Sequence, residues 1–333
     1  MNIKQTLFAT SAVIIAGVVA VSTGATAQTA SNGYRADTVA IDHFIGNIEV
    51  RTGSSSQVTV AITNPGDLVE DPTISNASGT LTIDGGESMR NLRCSSRNNN
   101  VRIGRSRLNM HDIQDYTTLV ITAPADIAFN LRRSAFVGQS GDLGSLEMSM
   151  SSCGRFNGGD IAGAASISIN GSGDITVGSI GSDADVDING SGDVIFTNVS
   201  GNARVGINGS GDVQSGDISG NADVSINGSG DVEFGTVAGL EIGISGSGDV
   251  KADSMNGAFD ARINGSGDIR VRGGRAEPFG VNIGGSGDVS FDGTAVNVTV
   301  REGGSGDVRI DNIEGTVRWS RHGRTVLRVG DVD

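Results

Sequence analysis

A four-residue motif, Gly-Ser-Gly-Asp, occurs eight times in this 333-residue chain and constrains its fold more than any other feature. Successive motifs are separated by 19, 19, 19, 18, 19, 20 and 19 residues. A period this regular indicates a repeat protein, in which each unit buries its apolar face only by stacking on its neighbours. The aspartates of the motif are Asp174, Asp193, Asp212, Asp231, Asp249, Asp268, Asp288 and Asp307.

The same register continues upstream of the first complete motif. Residues 148–155 match the frame of residues 167–174, and residues 129–136 fit one period earlier. We therefore predict about ten coils that run from Phe129 towards the C-terminus.

Apolar residues alternate with polar ones on both sides of the motif. In one coil, Val232 and Phe234 flank a glutamate directly after the motif, and Val224 and Ile226 stand before it. A lone apolar residue, Val237 in this coil, marks a third side. Alternation with a period of two indicates strands with one buried face, so about five apolar side chains per coil should point inward.

Three short segments per coil predict an all-β fold, a right-handed parallel β-helix (β-solenoid) with about 19 residues per coil. Stacking places each strand ~4.8 Å from its equivalent, so identical positions form rows along the axis. The asparagine before the motif should form such a row at the turn, where asparagine tolerates a positive φ. The two glycines that flank the serine should allow the sharp corner.

The pattern divides the chain into four parts. Residues 1–27 are a predicted signal peptide, residues 28–128 an irregular N-terminal β region, residues 129–315 the solenoid and residues 316–333 a C-terminal capping strand. The N-terminal region is either a small β domain or a set of irregular first coils that cap the solenoid. A cap is expected at the other end because an open sheet edge invites aggregation.

The first residues are typical of a secretory signal. Lys4 is the only charged residue before Arg35, an apolar run follows at residues 7–21, and Ala25 and Ala27 offer a small-x-small cleavage site. The run is shorter than the ~20 apolar residues of a membrane span, and no later segment approaches that length. We therefore expect an exported protein without a transmembrane segment, located in the periplasm, at the cell surface or outside the cell.

The composition of the chain limits both the kind of structure and the kind of binding partner that we expect. Glycine is abundant at 52 residues and proline rare at 4, which favours tight turns between short strands over a disordered linker. The net charge of −14 disfavours nucleic acid as a partner, because its phosphates would be repelled. Cys94 and Cys153 are a candidate disulfide in an oxidising compartment, with two unpaired buried thiols as the alternative.

The row of aspartates is the first candidate for specific chemistry. Stacked carboxylates repel one another by about 1 kcal/mol per neighbouring pair in water, so they must face solvent, accept backbone amide hydrogens or share cations. A calcium-binding β-roll would have a second, opposing acidic row, which the 19-residue period lacks. A structural turn carboxylate is therefore the preferred interpretation, and the weak candidates for metal ligands are Asp174, Asp193, Asp212 and Asp231.

A basic run within this acidic chain is the second candidate. Its arginines would suit anionic glycans or lipid phosphates, and a solvated loop rich in asparagine and serine is the alternative. The candidate ligand-binding residues are Arg90, Arg93, Arg97, Arg102, Arg105 and Arg107.

The repeated Ile-Asn-Gly-Ser-Gly-Asp-Val resembles the head GIN domain of auto-transporter adhesins. Residues 44–50 (Phe-Ile-Gly-Asn-Ile-Glu-Val) and 118–124 (Thr-Leu-Val-Ile-Thr-Ala-Pro) also resemble the segments that precede the repeats in that family. The resemblance covers roughly residues 38–315. It implies a right-handed parallel β-helix in an exported protein of a Gram-negative bacterium.

We expect neither enzymatic activity nor a cofactor. His43, His111 and His322 lack metal-ligand spacing, and the coils from Asp174 to Asp268 are nearly interchangeable, whereas an active site should break the repeat. The preferred function is an adhesin-like scaffold that binds a polysaccharide or a cell-envelope component. A structural envelope protein without a specific ligand and a carbohydrate-active β-helix enzyme are the alternatives, and the oligomeric state is left open.

Overall fold

A computed structural model describes residues 28–97 and 100–332. The predicted signal peptide, residues 1–27, lies outside the described residues. The described part is almost entirely β-structure. Its N-terminal elements are β1 (Gln28–Tyr34), β2 (Thr38–Asp42), β3 (Ile45–Gly53), β4 (Val58–Thr63), β5 (Thr73–Ala77), β6 (Thr80–Asp84), β7 (Arg93–Arg97), β8 (Asn100–Ser106), β9 (Asn109–Asp112), a 3-10 helix (Ile113–Asp115), β10 (Thr117–Pro124) and β11 (Ala128–Ser140).

The remaining strands belong to the regular coils and the C-terminal end. They are β12 (Ser145–Met150), β13 (Arg155–Asn157), β14 (Ala165–Ile169), β15 (Asp174–Thr176), β16 (Ala184–Ile188), β17 (Val194–Ile195), β18 (Ala203–Ile207), β19 (Val213–Gln214), β20 (Ala222–Ile226), β21 (Val232–Val237), β22 (Leu240–Ile244), β23 (Val250–Ile263), β24 (Ile269–Val271), β25 (Gly274–Ile283), β26 (Val289–Glu302), β27 (Val308–Arg321) and β28 (Arg324–Val332).

The regular coils stack as a parallel β-solenoid, which confirms the predicted fold class. On the first face, Val205 of β18 lies opposite Val186 of β16 and Val224 of β20. The second face is built in the same way from the short strands β15, β17, β19 and β21. Single bridges complete the third side, for example between Val199 and Ile218. Each coil therefore satisfies its backbone through the next coil and not within itself.

The core is a narrow apolar column enclosed by the coils. The alternation read from the sequence is confirmed, because the residues predicted to point inward are buried in both faces. The structure adds a sixth inward position at the start of the first-face strand, which sequence reasoning missed because alanine fills it in four coils. Its residues are Ala165, Ala184, Ala203, Ala222, Leu240, Phe259, Phe279, Val298 and Val317, each at most 3% exposed. Alanine leaves room for larger residues such as Phe196 elsewhere in the same coil.

The corner at the motif is formed without left-handed residues, which corrects the sequence interpretation. Neither the asparagine row nor the glycines of the motif are among the residues with positive φ in the described part of the chain. The reason for glycine is the close approach of stacked coils. A Cβ on Gly228 would collide with the carbonyl oxygen of Gly209, and one on Gly246 with that of Gly228. At the glycine positions of the corner, a side chain is therefore excluded because the stacked coils are too close, and not because of the backbone conformation.

In the first predicted coil, the strand register in the structure differs from the register obtained by counting 19 residues along the sequence. A step of 19 residues places Phe129 opposite Met148, but Leu131 pairs with Met148. On the second face Val137 pairs with Arg155, one residue away from the counted position. A shift of two residues leaves the same face inward, so Phe129 and Leu131 are both buried and the apolar pattern alone could not distinguish the two registers.

The N-terminal region supplies coils of the same stack. Strands β2 and β3 pair in parallel with β11, with Thr38 opposite Ala128 and Ile45 opposite Ala135. On their other side β2 and β3 are covered by β6 and β10, again in parallel. The chain thus leaves the stack after β3, forms an outer layer, and returns to β11. Antiparallel pairs of β1 with β4 and β5 with β6 lie at this end.

The C-terminal end is covered by a hairpin. Strand β28 pairs antiparallel with β27, the last strand of the stack. Arg321 contacts both Glu302, at 2.7 Å, and Asp307, the last aspartate of the motif row. The side chain of Glu302 is only 1% exposed, so this arginine neutralises a buried carboxylate, and the two hydrogen bonds raise the pKa of Arg321 above its usual range.

Candidate functional site

The motif aspartates form a continuous hydrogen-bonded row along one corner. The backbone amide of Asp212 donates to Oδ1 of Asp193 at 3.0 Å, and that of Asp231 donates to Oδ1 of Asp212 at 2.8 Å. The same bond recurs in each following coil up to Asp307. Each carboxylate from Asp174 to Asp288 accepts an N–H from the next coil, which offsets the repulsion between neighbouring charges.

Other corners form the same bond with either a carboxylate or an uncharged amide side chain as the acceptor. The amide of Asn202 donates to Oδ1 of Asp183 at 2.7 Å, and that of Asn221 donates to Oδ1 of Asn202 at 2.9 Å. Likewise the amide of Asp217 donates to Oδ1 of Asn198 at 2.8 Å. Since asparagine and aspartate are interchangeable acceptors here, the bond depends on the side-chain oxygen and not on its charge.

Asp174 begins the motif row in a more enclosed position than its neighbours. Burial raises the pKa of its carboxyl, and the nearby charge of Asp193 raises it further. A hydrogen bond from the backbone of Asp193 and the charge of Arg155 act in the opposite direction. The first carboxylate of the row is therefore less stable in its ionised form than an aspartate in solution.

Within residues 28–97 and 100–332, no group of three or more His, Cys, Asp or Glu side chains is arranged to hold a metal ion. The weak candidates for metal ligands, Asp174, Asp193, Asp212 and Asp231, accept backbone amide hydrogens. His43 lies 3.5 Å from Asp84 and 3.9 Å from Asp42, and His111 packs edge-on against Tyr116. Different residues therefore surround His43 and His111.

A shallow depression crosses the first face of three successive coils. It has a volume of about 420 Å³. Equivalent positions recur along it, so that polar side chains of different kinds stand in two rows. Its lining residues are Asp183, Ala184, Asp185, Asn202, Ala203, Arg204, Asn221 and Asp223. Arg204 is 3.9 Å from Asp223, and both side chains are more than half exposed.

The basic run forms a separate three-stranded antiparallel sheet, β7–β8–β9, which we call the arginine sheet. It is attached to the flank of the solenoid in two ways. A disulfide joins Cys94 of β7 to Cys153, with their Cα atoms 5.8 Å apart. Val101 and Ile103 of β8 are buried with Tyr116 in an apolar cluster of their own, and the Tyr116 hydroxyl donates to the carbonyl of Ile103 at 3.0 Å.

The arginine sheet has one apolar and one basic face. Residues directly opposite in antiparallel strands share a face, and Ser95 lies opposite Arg102 while Arg93 lies opposite Gly104. This face therefore carries Arg93, Arg102 and Met110, which together with Arg107 line a depression of about 420 Å³. The opposite face, with Ile103, is turned to the solenoid.

The structure brings the predicted basic residues together but gives them different surroundings. Arg105 is bound to Glu87 at 2.8 Å and to the carbonyl of Ser88, and Arg102 lies 3.3 Å from Asp112. Arg97 is in β7 opposite Asn100. The remaining three, Arg90, Arg93 and Arg107, are exposed, and their guanidinium groups have no hydrogen-bonded or ion-pair partner within the described residues.

Leu108 was not singled out by the sequence, although it lies next to Arg107. It is 96% exposed at the tip of the β8–β9 hairpin, where the amide of Asn109 donates to the Ser106 hydroxyl. A lone leucine in a polar segment gives no signal of its own. The position becomes informative only when the hairpin and its basic face are known.

Comparison with known proteins was consistent with the geometry. A family model described as "Putative auto-transporter adhesin, head GIN domain" matches residues 41–253 and 240–317. The chain belongs to this family. As a member of the head GIN domain family it shares the adhesin-like β-solenoid implied by its motif. No curated protein matches the chain.

Two solved structures resemble this head GIN domain protein at low identity. One, titled a putative cell adhesion protein from Clostridium sporogenes, is 12% identical with a TM-score of 0.23, and the match covers 69% of this chain and 98% of that one. The other, titled a putative adhesin from Bacteroides fragilis, is 15% identical with a TM-score of 0.27, and the match covers 87% of this chain and 98% of that one. In the described residues, no helix has the length and hydropathy to cross a membrane.

Proposed function

We propose that this head GIN domain protein is an exported, non-enzymatic, adhesin-like scaffold that binds a linear polysaccharide or another repetitive component of the cell envelope along its coils. The observation that carries the proposal is the depression on the first face, in which polar side chains recur once per coil. Membership of an adhesin family supports the same reading.

The recurrence of one polar position per coil suits a ligand that is itself repetitive. Equivalent positions of successive coils stand ~4.8 Å apart, so a polymer with a comparable repeat meets a polar side chain at each coil. Asn202 and Asn221 can both donate and accept hydrogen bonds, whereas Arg204 can only donate. Each additional coil in contact strengthens the interaction without any single coil being essential.

Binding to oligosaccharides of increasing length tests this proposal. We expect hits on a glycan array, and an affinity that rises with the number of sugars because longer chains span more coils. Arg204→Ala should weaken the binding. Arg309→Ala, which removes another highly exposed arginine outside the depression, is the matched control. Affinity independent of ligand length, or equal loss in both variants, would contradict binding along the coils.

Export is tested by the mature N-terminus. Cells should be fractionated and the protein identified by mass spectrometry. We expect a chain that begins near Gln28 and lies outside the cytoplasm, because cleavage after Ala27 fits the small-x-small rule. A cytoplasmic protein that retains residues 1–27 would refute export.

Absence of catalysis is tested on acidic polysaccharides. The coils share one arrangement, and the acidic corner residues are engaged by backbone amides. We therefore expect no release of reducing sugars and no lyase products. Turnover that is lost in an Asp212→Asn variant would show that the corner row is an active site.

A further inference from the structure

The arginine sheet carries a charge opposite to that of the whole chain. Residues 88–112, which include the whole sheet, contain six arginines and one acidic residue, Asp112, while the chain has a net charge of −14. Arg93 and Arg107 have no acidic partner within the described residues, and they line one depression with Arg102. A cationic face maintained on an acidic protein selects an anionic partner.

An apolar side chain projects beside this cationic face. Leu108 is 96% exposed at the hairpin tip, directly after Arg107. Within the described residues, the other exposed large apolar side chain is Ile195, which is 40% exposed on a coil. Among the described residues, the leucine with the highest exposed fraction thus lies at the edge of the basic surface, where Met110 adds further apolar area.

We propose that the basic face of the arginine sheet docks on an anionic lipid membrane. Leu108 enters the boundary between headgroups and acyl chains, while Arg93 and Arg107 contact lipid phosphates. An anionic polysaccharide would account for the arginines but offers no apolar layer for Leu108. The membrane therefore fits both observations. This proposal is independent of ligand binding along the coils.

The attachment of the sheet makes it a fixed docking surface. The disulfide between Cys94 and Cys153 and the buried Val101 and Ile103 hold its inner face on the solenoid. The basic face and the hairpin tip are therefore turned away from the core. A membrane contact here would hold the solenoid by its N-terminal part and leave the faces of the regular coils accessible.

Co-sedimentation of the oxidised protein with lipid vesicles is the test. The probes are vesicles of phosphatidylcholine alone and vesicles of phosphatidylcholine mixed with phosphatidylglycerol. We expect binding to the mixed vesicles that weakens as ionic strength rises, because salt screens the arginine–phosphate attraction. The double variant Arg93→Gln/Arg107→Gln should lose about fivefold in affinity per arginine, and Leu108→Ser on the order of tenfold.

Controls separate this surface from general effects of charge and apolarity. Arg309→Gln and Ile195→Ser make the same changes on the coils and should leave vesicle binding unaltered. In addition, Leu108→Trp should show a blue shift of its fluorescence with mixed vesicles, whereas Ile195→Trp should not, because only the former enters the lipid.

Four results would overturn the proposal. These are no binding to mixed vesicles, equal binding to both vesicle types, equal losses in hairpin and control variants, and unchanged affinity in Leu108→Ser. Binding of the hairpin to heparin without binding to mixed vesicles would assign the arginine sheet to a glycan and reject the membrane. Failure here would leave the length-dependent oligosaccharide experiment unaffected, since that uses a different surface.

Discussion

At the scale of single residues, the corner of each coil depends on a side-chain oxygen in a fixed place. Asp193, Asp183 and Asn198 each accept a backbone N–H from the following coil. An acceptor of one coil thus satisfies a donor of the next coil, which lies 19 residues later in most coils and 18 or 20 residues later in two of them. Charge adds nothing to this bond that asparagine does not supply, and in Asp174 it has a cost.

Replacing Asp174 by asparagine should change stability in a pH-dependent way. Burial raises the pKa of the folded carboxyl above its unfolded value, so the aspartate favours folding only while protonated, below about pH 3.9. This contribution is lost as pH rises through the folded pKa. Asp174→Asn should therefore raise the urea midpoint at pH 7, and the gain should vanish below about pH 3.

Urea unfolding from pH 3 to pH 7 measures this effect. Asp223→Asn, at an exposed carboxylate on the first face, is the control for the change in net charge. A lower midpoint for Asp174→Asn at pH 7 would show that the ionised carboxylate stabilises the fold, contrary to the argument from burial.

Ser215 is a buried residue whose replacement should stabilise the protein. Phe196 and Phe234 occupy the equivalent positions in the adjacent coils, and the Ser215 hydroxyl is buried without a hydrogen-bond partner. Its backbone amide donates to the carbonyl of Glu233 and would be unaffected. Ser215→Ala should raise the free energy of unfolding by about 1 kcal/mol, as measured by urea denaturation, whereas exposed Ser191→Ala should change it little. A decrease in Ser215→Ala would indicate an unrecognised partner for the hydroxyl.

At the scale of elements, strands and corners obey different rules. A strand tolerates variety inward, where Val, Ile, Leu, Phe and Met all occur, because it needs only apolar volume on one face. The corner tolerates no other residue at its glycines, because the backbones of successive coils are in close contact there. This difference explains why the motif Gly-Ser-Gly-Asp is more constant than the strands that flank it.

Alanine substitutions at one corner glycine and one strand glycine test this difference between corners and strands. Gly228 lies at a corner where a Cβ would collide with the carbonyl of Gly209, whereas a Cβ on Gly243 of β22 would meet nothing within 4 Å. Gly228→Ala should lower the free energy of unfolding by about 3 kcal/mol through overpacking. Gly243→Ala should raise it by about 0.5 kcal/mol, because the unfolded chain loses freedom. Thermal melts of both variants measure this, and equal effects would show that the corner can relax.

At the scale of the whole molecule, the chain forms two sheets that are stabilised in different ways. The solenoid is stabilised by a continuous apolar column, whereas the arginine sheet has a small cluster of its own and a disulfide. The solenoid is closed at one end by the outer N-terminal strands and at the other by β28 with Arg321. Edges that would otherwise recruit further strands are covered in this way.

Removing the disulfide should loosen the arginine sheet more than the coils. The bond closes a loop of 59 residues, which corresponds to about 4 kcal/mol in the chain-entropy model. The double variant Cys94→Ser/Cys153→Ser should therefore increase hydrogen exchange in residues 93–112, with the strands β16–β22 unchanged. Thiol titration of the unfolded wild-type protein should detect no free cysteine. Free thiols, or exchange that rises uniformly along the chain, would contradict this arrangement.

The sequence by itself determined the solenoid and the direction of nearly every side chain in its regular coils. It could do so because each strand pairs with the equivalent strand about 19 residues away, so the sequence repeat itself specifies the tertiary contacts. Where the sequence does not repeat, the placement of the strands was decided only by the tertiary structure. The register of Leu131 with Met148, the position of β3 between β10 and β11, and the proximity of Arg93 and Arg107 all depend on contacts between unlike segments. No periodicity encodes such contacts, because they are fixed by packing and not by repetition.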